Sequence, residues 1–151
     1  MAISDVSLLD DPVAKELLSS QIPAHLSYMW SDGTPRVVPI WFQWTGTDIV
    51  MGTPANAPKT VALHDGAAVA VTIDGHEWPY HALIVRGTAR VTRQSGVVSE
   101  YADAAVRYFG ADQGHAWVAQ FSDDIEMVRI AVQPEHVTIL DFETRFPSAI
   151  S

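Results

Sequence analysis

The sequence predicts a mainly β fold, an antiparallel barrel with short helices over its ends. Three observations predict it. About seven apolar runs of strand length follow one another, separated by turn signals such as Asp32-Gly33, Thr45-Gly46 and Pro134-Glu135. They do not alternate with long crossover helices, which disfavours a doubly wound parallel sheet. Nearly half of the 151 residues are apolar (48%), enough for a real core at single-domain length. One domain over 1–151 is expected, with its core about 8–145.

The elements follow in order. Asp10-Asp11-Pro12 opens a short helix, with a carboxylate to cap it and Pro12 in its first turn. Val13, Leu17 and Leu18 are its apolar stripe, and residues 19–23 end it. A strand over 25–30 alternates Leu26, Tyr28 and Trp30 on one face, and Asp32-Gly33 turns it back. One long strand is expected over 35–44, with Pro39 marking an edge or a bulge. A short strand over 49–52 comes next, then a Pro/Ala/Asn loop and a short helix over 58–64. Residues 67–73 are small and β-branched, as in a buried strand. After a connector over 74–80, a long strand spans 81–93, in which Gly87 permits a bulge. Val98, Tyr101, Ala105 and Tyr108 recur at helical spacing over 98–109. A Gly/Asp/Gln-rich loop is expected next, then strands over 125–132 and 136–142 joined by a Gln133-Pro134-Glu135 turn.

Charge excludes some functions. Eighteen acidic residues against nine basic ones leave no concentrated basic face for nucleic acid. A single lysine or arginine can still hold a small anion. The absence of cysteine excludes thiol catalysis and disulfides. No apolar run approaches a membrane span, and the N-terminus has no secretory pattern, so a cytoplasmic protein is expected.

Lys59 is the first candidate residue. It follows Thr53-Pro54-Ala55-Asn56-Ala57-Pro58 at the start of a short helix, where unpaired N–H groups and the helix dipole favour an anion. A solvated surface lysine is the bland alternative. Arg36 can fork onto a phosphate or pair with a neighbouring acid. Trp41 and Phe42 point to opposite faces of their strand, one into the core and one toward a ligand or partner. Five tryptophans point to an interface or pocket beyond the core. His76, Glu77 and His81 lack the helical spacing of a metal motif, so no metal is expected. That connector reads as a loop lining a cavity. Hydrolase, phosphate-loop and dinucleotide motifs are absent.

These residues carry a resemblance. Ala24-His25-Leu26-Ser27, the run from Asp32 to Phe42, Thr53 to Leu63 with Lys59, Val85 to Val91, and Pro134 to Phe142 resemble the split β-barrel proteins related to pyridoxamine 5'-phosphate oxidase, in particular small members that use FMN or the deazaflavin F420. The resemblance implies an antiparallel, Greek-key-type split β-barrel. It implies a homodimer with two cofactor sites at the subunit interface, FMN in the first instance and F420 as the alternative, and hydride transfer between the cofactor and a small organic substrate. Arg36, Val38, Pro39, Ile40 and Trp41 would contact the ring. Met51, Gly52 and Thr53 would flank the ring and its ribityl chain. Lys59, with Thr53 or Asn56, would hold the phosphate. Trp78, Pro79 and Tyr80 would shape the cavity, from the other subunit if need be, and Tyr80 or His76 could donate a proton. Ala57 and Ala62 stand where relatives place polar groups, and Arg145-Phe146-Pro147 lacks the arginine–histidine pair that holds pyridoxal phosphate. A true pyridoxamine phosphate oxidase is therefore not expected. A non-enzymatic dimeric barrel that binds or stores a planar ligand is the alternative from another class.

Overall fold

The computed structural model describes residues 6–145. A 3-10 turn, Val6–Asp10, leads into α1, Pro12–Leu18. Asp11 caps α1 as expected, its carboxylate accepting from the Val13 N–H at 2.9 Å. The strands are β1 (Ala24–Met29), β2 (Pro35–Ile40), β3 (Gln43–Trp44), β4 (Ile49–Pro54), β5 (Ala67–Asp74), β6 (His81–Ser95) and β7 (Glu126–Asp141). The helices are α2 (Lys59–Ala62), α3 (Ser99–Phe109) and α4 (Ala111–Val118). The seven strands form one sheet, in the order β2-β1-β5-β6-β7-β4-β3, with every recorded pairing antiparallel.

The sheet order and the chain order together define the barrel. β2 and β3 lie at opposite edges of the sheet, yet only Trp41 and Phe42 separate them in the chain. The sheet must therefore curl until its two edges nearly meet. The strand expected over 35–44 is broken at this point: its first part pairs with β1 and its last two residues pair with β4. Phe42 turns fully into the core, which is what the break accomplishes. Leu26, Met51, Ile73, Leu83, Val85 and Ile130 fill the barrel around it.

The opposite correction applies to the C-terminal strands. No turn forms at Gln133-Pro134-Glu135, and β7 runs through it without interruption. The pairing of β6 with β7 instead shifts register between Arg86 and Gly87, which face His136 and Pro134, so Glu135 is the extra residue of a bulge. A bulge suits a proline, which has no N–H for the ladder. Gly87 sits at the bulge as expected, and a Cβ on it would lie 2.0 Å from the Gln133 carbonyl oxygen.

The helix over 58–64 shrinks to the single turn of α2. The loop expected after residue 109 contains α4, hidden in the sequence by its polar Asp112-Gln113-Gly114 run. Gly114 lets α4 press onto α3, where a Cβ would stand 2.6 Å from the Val106 Cα. α3 is pinned to the barrel by a forked ion pair, with Arg129 Nε and Nη2 donating to Glu100 at 3.0 and 3.1 Å. Hydrogen bonds from Arg129 hold the Glu100 carboxyl below the ordinary glutamate range. The stability this pair adds is therefore full above pH about 4.3 and is lost as pH falls through the lowered folded value. Glu100→Gln should cost about 1–2 kcal/mol at pH 7 and less at pH 2–3, as the native carboxylate takes up a proton. Urea melts of both proteins at the two pH values check this, and an equal offset at both would contradict it. None of the helices among the described residues is long and apolar enough to cross a membrane.

Candidate cofactor site

The split between β2 and β4 is the feature on which a site can be built. Among the described residues β2 pairs only with β1, so the backbone N–H and C=O groups along its other edge have no strand partner there. Its side chains are also poorly covered: Pro35, Arg36, Val37 and Pro39 are exposed, and Val38 and Ile40 half-buried. Val37 is 64% exposed. An apolar edge of this kind is ordinarily blunted or covered.

Arg107 of α3 ties the seam at the point where β2 gives way to β3. It donates to the Phe42 carbonyl and the Gln43 side-chain oxygen, and its Nε reaches the Ser20 carbonyl at 3.0 Å. Its guanidinium also lies over the Phe42 and Tyr108 rings, 4.7 and 4.8 Å from their centroids. Trp41 stacks on Tyr108 at 5.0 Å and meets the edge of Phe109 at 4.9 Å. Tyr101 fills the gap between Trp41 and Gly52: its ring is 5.8 Å from Trp41, and its Cβ would be 2.9 Å from a Cβ on Gly52. Gly52 is thus a packing glycine for α3. The Met51 side chain is fully buried in the core, so only its backbone is left for a ligand.

Thr53 and Lys59 are brought together. Thr53 is buried at the end of β4, and the half-buried Lys59 ammonium donates to its hydroxyl at 3.3 Å. Burial pushes the Lys59 ammonium below its ordinary pKa. Among the described residues no carboxylate lies within ion-pair reach of it. The helix-dipole contribution expected here is absent in practice, because α2 is a single turn and the Thr60 and Val61 N–H groups bond to Ala57 and Pro58. Asn56 is exposed in the same loop. Arg36 does not join Lys59. It donates to Thr34 and to the Pro35 carbonyl and lies over Trp30, 5.3 Å from the ring centroid.

Trp78 and Tyr80 lie at the far end of the barrel. They form a cluster with Phe142, with centroid distances of 5.3 to 6.1 Å, just before β6 begins. Thr53 is instead next to Val128, which faces Arg93 near the end of β6. Roughly 40 Å of strand separates Tyr80 from that end. Within one chain the two groups stand at opposite ends of β6. Four tryptophans are spent on packing: Trp41 and Trp117 in the α3/α4 cluster, Trp30 and Trp44 against the core. Trp78, 69% exposed, is the most exposed of the five, and Trp117 also remains 37% exposed.

Sequence reasoning assigned no role to Arg107 or Tyr101, although Tyr101 and Tyr108 on one helical face were a visible signal. It set His81 beside His76 and Glu77, with no metal expected, and did not connect it to Asp141 or Glu143. The structure places it 3.4 Å from Asp141 and 3.3 Å from Glu143. Arg145 bonds Asp11 at 2.8 and 3.1 Å and Asp141 at 3.2 Å, and Phe146 and Pro147 lie outside the described residues.

No family model and no curated protein matches the sequence. Solved structures do match. An F420 reductase aligns at 25% identity over 81% of this chain and 93% of its own, with a TM-score of 0.61. An FAD and heme binding protein from Mycobacterium smegmatis aligns at 19% identity over 93% of this chain and 73% of its own, TM-score 0.60. A candidate pyridoxamine 5'-phosphate oxidase from Listeria innocua aligns at 19% identity over 87% of this chain and 98% of its own, TM-score 0.63. With a curled antiparallel sheet whose edges are joined through Trp41 and Phe42, this chain has the split β-barrel fold of the proteins related to pyridoxamine 5'-phosphate oxidase.

Proposed function

We propose that this chain binds a planar cofactor of the flavin–deazaflavin class and serves as an oxidoreductase. Thr53 and Lys59 take the cofactor's phosphate, and the free edge of β2 over Val38, Pro39 and Ile40 runs along its ring. The observation that carries the reading is the half-buried Lys59 ammonium. It has one hydroxyl partner and no carboxylate among the described residues, in a chain with twice as many acids as bases. Such a charge is matched by an external anion. The likeness to an F420 reductase moves F420 ahead of FMN, the cofactor first expected from sequence. When bound, either cofactor supplies hydride transfer, while the chain supplies position and charge.

Arg36 is already engaged by Thr34, the Pro35 carbonyl and the Trp30 ring, and Asn56 is exposed, so neither is a fixed contact of the site. Trp78, Pro79 and Tyr80 enter the site only from a second copy, so the functional unit is a homodimer. A second reading, a barrel that binds a planar ligand without turnover, is favoured by one observation. Neither Tyr80 nor His76 lies at the Lys59 end of its own chain, so a single chain brings neither candidate proton donor to the ring.

Separate titrations of the purified protein with F420 and FMN by fluorescence, and with heme by absorbance, test these readings. Tightest saturable binding of F420 supports the proposal, and tighter FMN binding restores the first expectation. Binding of heme alone supports the storage reading, and no binding of any of the three removes the cofactor account.

A further inference from the structure

We propose that His81, Asp141 and Glu143 form a divalent-cation site at the barrel end remote from Lys59. His81 opens β6 and Asp141 closes β7, and the ladder pairs them directly. His81 Nε2 lies 3.4 Å from Asp141 Oδ1 and 3.3 Å from Glu143 Oε2, and the candidate ligand atoms all fall within 4.8 Å of one another. That nitrogen is buried and makes no hydrogen bond. A ring nitrogen set between two carboxylate oxygens without a hydrogen bond lacks the positive centre that would hold the three together.

Both spacings from Nε2 fit a metal shared by the three residues. Ligands about 2.1 Å from a shared ion stand about 3.4 Å apart at tetrahedral angles. The other ring nitrogen supports the assignment, because His81 Nδ1 faces Glu16 Oε2 of α1 at 3.4 Å. A carboxylate behind a ligating imidazole fixes its tautomer and raises its basicity. Asp141 is equally well held. Its Oδ1 accepts from the Glu143 and Thr144 N–H groups at 3.0 and 3.2 Å, and its Oδ2 from the Thr144 hydroxyl at 2.6 Å. The charge of Arg145 lies on the Oδ2 side and is shared with Asp11. One imidazole and two carboxylates suit Zn²⁺ among the common ions. His81 and Glu143 also line a cavity of about 420 Å³ with Glu16, His76, Glu77 and Trp78, which gives a water or a second ligand access to the fourth position.

The competing account is an imidazolium that bridges the three carboxylates with no metal. Calorimetric titration of the chelator-treated full-length protein with Zn²⁺ separates the two, and Co²⁺ absorption reports the geometry. The expected result is one equivalent of Zn²⁺ per chain and the intense visible bands of four-coordinate Co²⁺. His81→Gln and Glu143→Gln should each weaken Zn²⁺ at least tenfold, and Glu16→Gln by about tenfold. The Glu143 side chain is 59% exposed, so its variant should fold normally and keeps the test readable. No saturable binding would overturn the proposal. So would binding that both His81→Gln and Glu143→Gln leave unchanged.

Discussion

Gly87→Ala should lower stability by about 3 kcal/mol, or prevent folding outright. Its Cβ would stand 2.0 Å from the Gln133 carbonyl oxygen and 2.9 Å from the carbonyl carbon. Both are backbone atoms of the facing strand, so no side chain can rotate to make room. Relief requires β6 and β7 to part at the bulge, and these are the two longest strands of the sheet. Gly75→Ala is the matched control. Its Cβ would meet only the His81 carbonyl oxygen, at 3.9 Å, an ordinary contact. It should change the urea midpoint by the equivalent of less than about 0.5 kcal/mol. Equal midpoints for the two variants would refute the bulge account.

Lys59→Ala should weaken F420 or FMN binding roughly 10- to 150-fold, the equivalent of about 1.5–3 kcal/mol for a hydrogen bond to a charged group. Thr53→Val should weaken it less, since it removes a neutral donor and leaves the charge. Neither effect should come from the fold. Lys59 makes one side-chain hydrogen bond, at 3.3 Å, so its loss should leave the melting curve nearly unchanged. A Lys59→Ala protein that binds as well as the parent would place the phosphate elsewhere.

Much of the barrel was legible in the sequence because alternation and turn chemistry are local. Leu26 and Tyr28 turn inward as their period of two requires, and Asp11 and Pro12 start α1 where cap chemistry puts them. Where the reading failed, the deciding contact was distant. Residues 35–44 read as one strand, since nothing local says that Ile40 pairs with Ala24 while Gln43 pairs with Val50. Pro134 read as a turn because its accommodation depends on Gly87, far away in the chain. α4 was missed because Gly114 looks like a loop residue until Val106 is seen against it.

The site was less legible than the fold. Composition and order single out the Lys59 loop as a candidate, and the structure sets its ammonium against the Thr53 hydroxyl. The role of Met51 could not be found in this way, since its strand position is compatible with core or ligand and its side chain is in the core. Nor could sequence spacing show that Trp78 and Tyr80 stand at the opposite end of β6 from Lys59, or that His81 meets Asp141 and Glu143. The first of these placements is what makes a second copy necessary to the proposed site.

In the proposed assembly Lys59 holds a cofactor at a seam that two copies complete. Sedimentation velocity of the protein with F420, followed at the cofactor's own absorbance, tests both halves at once. The cofactor should move in a single boundary with the mass of two chains, and Lys59→Ala should return it to the free, slow fraction while the protein remains a dimer. Cofactor left unbound by the parent protein, or carried by single chains, would contradict that assembly.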